Sequence, residues 1–524
     1  MHSLLPVNRR HSLKLLAVGT VAGELFGGRW SGVAGEPLSA EPKPISVAKD
    51  LPLLGRLKTR RSAEIQTSPL SVGFEVLDRR LFDPAKTYPY LGELGVKWAR
   101  CQTGWCRCEE RPGEYQFGWL DDVVDNLRRL GIQPWFCLSY GNRLYIPEAD
   151  ETAVGWVPLF SEKAREAWVR FTAAISQHFR DRVRQWEIWN EPNIPQFWKP
   201  RKPDPVDYVE LVRLSAPVIR QAIPSAVIVG GALAGMPVAY LRRCFEAGLA
   251  QLVDRISYHP YRAVPEVGYR EEVAAFRSLI AQFNPRLELW QGENGCPSQG
   301  GPESTGALAE LHWDEIRQAK WLLRRIILDL SLGVELTSYF HTVDLVGYRG
   351  KTNFKGLLRG QDYSPKPAYF AYRNLCTLLG DQTHLSTAAP LQILPAEGTG
   401  NSGQADRDGT PPPTTGKQSS AASAGQALGV IFQRQGSLLA AYWYPANLQQ
   451  GWIARQVNVA LPRRPHLAVD EPVLVDPLTG EIFAVPQGAE TSEHITVGPL
   501  PLADYPLILT NRHVAMDCPG PDAD

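Results

Sequence analysis

At 524 residues the chain is too long for one ordinary domain, and one large domain plus a smaller module would fit it. Apolar residues at 44% and charged residues at 21% give the composition of a soluble globular protein and exclude a disordered chain. Lys plus Arg and Asp plus Glu number 55 each, so no net field favours nucleic acid or an anionic membrane as partner.

The first forty residues read as an export signal. Arg9-Arg10 precedes Ser12-Leu13-Lys14 and a modest apolar run, Leu15 to Gly28, interrupted by Glu24. The pattern resembles a twin-arginine signal, with Ala34 and Ala40 near cleavage points, and predicts a periplasmic or extracellular protein. The run is too short and too interrupted for a membrane span. Residues 41–67, rich in Pro and charge, read as a linker.

Over residues 68–383 strand-like and helix-like segments alternate, the signature of a parallel sheet with crossover helices. The strand candidates are Leu70–Val76, Val96–Cys101, Ile132–Ser139, Val183–Trp189, Ala226–Gly231, Asp254–Tyr258, Leu287–Gly292 and Val334–Phe340. Between them lie amphipathic segments including Trp119–Leu130, Glu162–Arg180, Pro205–Ala222, Val238–Leu249, Glu271–Phe283 and Leu308–Leu332. Eight such units predict an α/β fold, a (β/α)₈ TIM barrel.

Residues 384–514 change character. Short alternating strands are predicted at Leu391–Leu394, Ala427–Arg434, Leu438–Tyr444, Gln456–Leu461, Val473–Val475, Glu481–Val485, Ile495–Val497 and Leu507–Thr510. They make a C-terminal antiparallel β-sandwich. The low-complexity run 397–425 is expected to be a disordered insert in it, and 515–524 a tail.

The most informative stretch is Trp186 to Trp198, W-E-I-W-N-E-P-N-I-P-Q-F-W. Pro192 lacks a ladder N–H and disfavours helix at Glu191, so the fourth strand stops there and Glu191 stands at its carboxyl end. An α/β barrel presents its catalytic groups at that end. The flat faces of Trp189 and Trp198 are expected to desolvate its carboxyl and to stack on sugar rings. The bland alternative, a surface Glu capping the next helix, sits badly with four aromatics in thirteen residues.

W-N-E-P-N resembles the acid/base motif of the large clan of retaining glycoside hydrolases with glutamates on barrel strands four and seven. The longer E-I-W-N-E-P-N followed by F-W looks most like the family containing β-xylosidases and α-L-iduronidase. The resemblance implies that Glu191 is the acid/base and that Asn190 contacts the sugar 2-hydroxyl. It also implies a β-sandwich packed on the barrel.

The seventh strand candidate ends L-E-L-W-Q-G-E-N-G, placing Glu293 on the same rim, with Gly292 and Gly295 permitting close backbone approach. Two carboxylates in aromatic settings on one rim are the equipment for glycosidic bond cleavage. Arg100 ends the second strand, where the clan places an arginine near the nucleophile. S-Y-H-P-Y after the sixth offers His259 and Tyr261, resembling the clan's hydrogen-bond partners of the two glutamates. Trp105, Tyr140, Asn142, Trp198 and Tyr339 are candidate sugar contacts, and His341 ends the eighth strand where relatives place an aromatic platform. Taken singly, a His or an aromatic at a strand end is more often a packing residue than a ligand contact.

The loop after the eighth strand carries Arg349, Lys351, Lys355 and Arg359, either a solvated surface or a recognition site for a uronic-acid carboxylate. Cys101, Cys106, Cys108 and Cys137 lack zinc-ligand spacing; one disulfide or buried free thiols both fit. The reading is a glycosidase acting on a β-linked oligo- or polysaccharide, and the resemblance implies a retaining double-displacement mechanism, with Glu293 as nucleophile. It uses no metal or organic cofactor, and its partner is a carbohydrate, with no nucleic acid and no membrane span. The alternatives are an inactive carbohydrate-binding barrel and a uronic-acid-specific glycosidase.

Overall fold

Parallel strands covered by helices outside and side chains inside have two buried faces, so they need short, nearly continuous apolar runs. Eight such runs close a parallel barrel: Leu70–Gly73, Trp98–Gln102, Gln133–Leu138, Gln185–Ile188, Val227–Ala234, Arg255–His259, Glu288–Asn294 and Leu336–Tyr339. Each overlaps its expected position. The first strand pairs with both the second (Ser71 opposite Trp98) and the eighth (Leu70 opposite Thr337), which closes the cylinder. The computed structural model describes residues 44–386, 391–396, 426–463, 467 and 469–516. The expected export signal and low-complexity insert lie outside them.

Helices coat the barrel by the usual periodicity. In Glu162–Phe179, Ala164, Ala167, Trp168, Phe171, Ile175 and Phe179 recur every three or four residues and are buried. The Ser161 hydroxyl accepts the Ala164 N–H at 3.2 Å and starts the helix. The helix expected from Leu308 begins only at Glu315, because the Asp314 carboxylate accepts the Arg317 N–H at 2.7 Å and acts as its cap. Among the described residues no helix is long and apolar enough to cross a membrane.

Inside the barrel, Trp135, Val229, Trp290 and Leu336 form an apolar floor. The Arg100 guanidinium lies 5.6 Å from the Trp135 ring, directly on that floor. Water is thereby excluded beneath the polar groups at the top.

The C-terminal region is a sandwich of two antiparallel sheets, one of seven strands and one of four. The expected linker is not a plain connection: Leu53–Arg56 is an edge strand of the larger sheet, pairing antiparallel with Glu481–Ala484. The short helix Arg512–Met516 likewise runs past the expected domain end at 514. The sandwich is fastened to the barrel by a buried ion pair. Arg324 pairs with Glu266 and also donates to the Ala446 carbonyl at 2.7 Å, while the Trp443 indole donates to Glu266 at 2.8 Å. Lys320 and Asp504 add a second pair at 2.8 Å. A buried pair whose remaining donors and acceptors are satisfied is costly to break from either side.

Candidate active site

The chain bends sharply as it leaves the fourth barrel strand. Trp189 and Glu191 adopt positive φ values of 72° and 48°, conformations that cost side-chain-bearing residues roughly 1–3 kcal/mol each. Hydrogen bonds hold the bend. The Trp189 N–H donates to the Leu138 carbonyl (3.1 Å), the Glu191 N–H to that of Ala232 (2.8 Å), and the Trp189 indole to that of Phe197 (2.7 Å). The strain aims the Glu191 carboxyl over the barrel mouth, where 12% of its side chain is exposed.

Arg100 organises the groups below. Its guanidinium donates to Glu187, Glu75 (3.1 Å), Glu293 (2.8 Å) and the Asn190 amide oxygen (2.9 Å). The side chain is wholly buried, as are those of Glu75 and Glu187. One cation thus faces three carboxyls, two of them buried with it and the third, Glu293, open to the barrel mouth. Burial pushes the Glu75 carboxyl well above its ordinary range, against the opposing pull of Arg100.

Glu293 leaves the seventh strand with both oxygens occupied. Oε2 accepts from Arg100, and Oε1 accepts from the Tyr261 hydroxyl at 2.8 Å. Burial drives the Tyr261 phenol far above its usual value, so it stays a donor. His259 Nδ1 lies 3.0 Å from Glu191 Oε1 and 3.8 Å from Glu293 Oε2. Burial pulls the imidazole down to about 4, which makes it neutral at pH 7. Burial pushes Glu191 up to about 7, with the charges of Arg100 and Arg349 opposing.

Two glycines let these parts approach. A Cβ on Gly292 would lie 2.2 Å from Ser257 Oγ and 3.3 Å from both Glu187 Oε1 and His259 Nε2. A Cβ on Gly295 would meet the Phe340 carbonyl oxygen at 2.0 Å.

Ligand atoms of Glu191, His259 and Glu293 lie within 4.8 Å of one another, a spacing that could also hold a cation. Both oxygens of Glu293 already accept hydrogen bonds, one from a guanidinium, so a cation there would meet a like charge. The set suits an anomeric carbon and its leaving oxygen better.

Of the residues expected at the site, Glu191, Glu293, Asn190, Arg100, His259 and Tyr261 come together. Trp198, Tyr339 and Asn142 do not. Trp198 is fully buried against Trp189 and Tyr208. Tyr339 is buried and donates to the Cys296 carbonyl at 3.1 Å. Asn142 is buried, its amide donating to the Trp105 and Glu109 carbonyls at 3.4 and 2.8 Å and accepting the Leu144 N–H. Trp105, Tyr140 and His341 are buried as well, the last between the backbones of Glu75 and Val343. Packing takes all six.

The loop cations divide. Arg359 is paired with Glu315 at 2.6 Å, Lys351 is exposed on a hairpin, and Lys355 is buried with its ammonium 5.6 Å from the Tyr261 ring. Burial lowers Lys355 to about 8. Among the described residues all seven cysteines are free. Glu75 and Glu187 belong to no motif that marks them in the sequence. The signal available was an acidic residue inside, or just beyond, an apolar barrel strand.

The sequence profile of glycosyl hydrolases family 39 matches residues 99–277. A β-xylosidase of Geobacillus stearothermophilus is 29% identical over 192 residues, 32% of this chain and 36% of that protein. A β-xylosidase of Caldicellulosiruptor saccharolyticus is 23% identical over 336 residues, 56% of this chain and 64% of that one. The chain thus spans between a third and two thirds of the length of these relatives. Two solved structures share the fold. A family 39 glycoside hydrolase from Bacteroides cellulosilyticus gives a TM-score of 0.62 at 20% identity, covering 86% of this chain and 82% of that chain. A β-xylosidase from Caulobacter crescentus gives 0.52 at 17%, covering 88% and 98%.

Proposed function

We propose that this chain, which carries a domain of glycosyl hydrolases family 39, is a retaining β-glycosidase of the β-xylosidase type, with Glu293 as nucleophile and Glu191 as acid/base. The observation that carries the reading is the pairing of the two carboxyls. An oxygen of each lies within 4.8 Å of the other, so the two carboxyls can reach one glycosidic bond, and so close an approach favours the short separation of retaining sites over the ~6.5–9.5 Å that inverting sites leave for water.

The two environments divide the labour. Arg100 and Tyr261 fix the Glu293 carboxylate, which attacks the anomeric carbon and forms a glycosyl-enzyme. Glu191, raised to about 7, carries a proton near neutral pH and gives it to the leaving oxygen. Once ionised it takes a proton from the incoming water, whose attack releases the sugar from Glu293. Neutral His259 keeps one hydrogen bond to Glu191 in either state. Asn190, anchored on Arg100, stands beside Glu191, where a sugar 2-hydroxyl would lie.

Incubation with 2-fluoro-β-xylosyl fluoride tests the assignment, because the fluorine slows the second step and traps the intermediate. Mass spectrometry should find the label on the peptide containing Glu293. A label on Glu75 or Glu187, or none with any 2-fluoro glycosyl fluoride, would overturn it. Export through the twin-arginine route belongs to the same proposal and rests on Arg9-Arg10 and the weak apolar run after them. Changing both to Lys should keep the protein in the cytoplasm; unchanged export would remove that part.

A further inference from the structure

A cavity of about 500 Å³ opens among the loops that follow barrel strands one, three, four and eight. It adjoins the Glu191 turn. Arg349 on its wall sits 5.9 Å from the ring of Phe197, which stacks on Tyr140, which in turn meets Trp189 edge-on. None of its lining comes from the loops carrying His259, Tyr261 or Glu293. Gln196 and Lys199, from the loop that carries Glu191, and Arg349, whose charge acts on Glu191, tie it to the acid/base, beside which the departing half of a substrate would sit.

The lining is unusual for a protein with equal numbers of acids and bases. Arg79, Lys199 and Arg349 all face the cavity, and no carboxylate lines it among the described residues. Arg79 is shared with Asp78 (3.3 Å) and Gln102 (2.6 Å), and Lys199 donates to the Val154 carbonyl at 3.1 Å. Arg349 has no hydrogen bond or ion pair among the described residues and rests only on the rings of Tyr348 and Phe197. A guanidinium held beside an aromatic ring with its donors unused is equipped to clamp a carboxylate or sulfate. Tyr348 supplies a flat face for a sugar ring and Gln196 an amide for hydroxyls.

Building on the glycosidase reading, we propose that this cavity is the leaving-group subsite and that it takes a sugar residue bearing an anionic substituent, a carboxylate or a sulfate ester. The substrate class is then an acidic β-linked oligo- or polysaccharide. The charge sits on the departing residue and not on the one transferred to Glu293. The electrostatics agree: the charge of Arg349 acts to ionise Glu191, so an anion bound on Arg349 would offset it and help keep the acid protonated.

Three aryl β-xylosides with leaving groups of similar acidity provide the test: 4-carboxyphenyl, 4-sulfophenyl and the neutral 4-carbamoylphenyl. At low ionic strength kcat/KM for at least one anionic member should exceed that of the amide by about tenfold, and high salt should shrink the ratio. In Lys199→Ala/Arg349→Ala the ratio should fall to near one. Preference for the carboxylate alone points to a uronate, and for the sulfonate to a sulfate ester. Equal rates for charged and neutral leaving groups in the wild type, or a preference that survives in the double variant, would overturn the subsite and leave the glycosidase reading standing. Failure to cleave any of the three, or their glucosyl and galactosyl counterparts, would overturn both.

Discussion

Arg100 Nε and Nη2 both donate to a single oxygen of Glu187, at 2.8 and 2.5 Å, in an interior where neither side chain is exposed. That doubled contact fixes the plane of the guanidinium. Its other edge then points at Glu75, Glu293 and Asn190 in the directions their oxygens require. Glu187 touches no position a substrate could reach, so it acts by holding Arg100.

Removing it leaves a buried cation short of a counter-charge. Glu187→Ala should cost about 3–5 kcal/mol of stability, read by chemical denaturation, because breaking a buried pair exposes the full desolvation of the survivor. The kinetic loss should appear in kcat, since Arg100 then no longer orients Glu293. A loss under about 1 kcal/mol would mean that Glu75 and Glu293 suffice to hold Arg100.

Gly292 supports a second prediction. Its missing Cβ leaves room for Ser257, Glu187 and His259 to crowd together. Gly292→Ala should lower kcat/KM by about 10²-fold, as a displacement near 1 Å at a reacting group does. The 2.2 Å clash is with the Ser257 hydroxyl alone, and the next contacts are at 3.3 Å. Ser257→Ala/Gly292→Ala should therefore recover most of the activity. A double variant as slow as the single one would place the damage in the backbone.

What was legible follows from the range of the interactions. The eight barrel strands announce themselves because their burial on both faces is written into each run separately. Glu191 and Glu293 stand out because each ends such a run beside a turn residue. Leu53–Arg56 is four residues with no local partner, and the chain it pairs with begins at Glu481, so nothing nearby marks it as a strand. Trp198 and Tyr339 show the opposite failure. An aromatic beside a catalytic motif reads the same whether it faces the cleft or the core, and here the helices behind the fourth and eighth strands claim both. Glu75 and Glu187 are hidden by chemistry: a buried acid makes sense only once Arg100 is known to reach it from the second strand.

Glu191 also links pH to stability. Burial raises its folded value above the ordinary 4.5, to about 7, so the folded protein holds this proton more tightly than the unfolded chain. Its contribution is unimpaired below about 4.5. It declines as pH rises toward 7 and is lost above that, by up to roughly 3 kcal/mol. Glu191→Gln carries no ionisable group and should therefore be more stable than the wild type at pH 8 and no more stable at pH 4. Thermal melts of the pair across that range measure the difference directly. A constant difference would mean that the carboxyl is not raised.

The same carboxyl should split the kinetics of its removal. A poor leaving group such as an alkoxide cannot depart without a proton, so Glu191→Ala should slow alkyl glycosides severely. An aryl leaving group of low pKa departs unaided, and Glu293 still forms the glycosyl-enzyme with it. The second step then stalls, because the carboxylate that takes the proton from water is gone and the weakly basic His259 is a poor substitute. Azide needs no base and fits the space the side chain vacated. Its addition should restore turnover of activated substrates and yield a β-glycosyl azide, the retained configuration showing two displacements at one carbon. For the wild type the raised Glu191 predicts a fall of kcat/KM above about pH 7, and in Glu191→Ala that fall should vanish for those substrates. Equal slowing of alkyl and aryl glycosides with no rescue by azide would move the acid/base role to another residue; an α-glycosyl azide would show a single displacement and end the case for Glu293 as nucleophile.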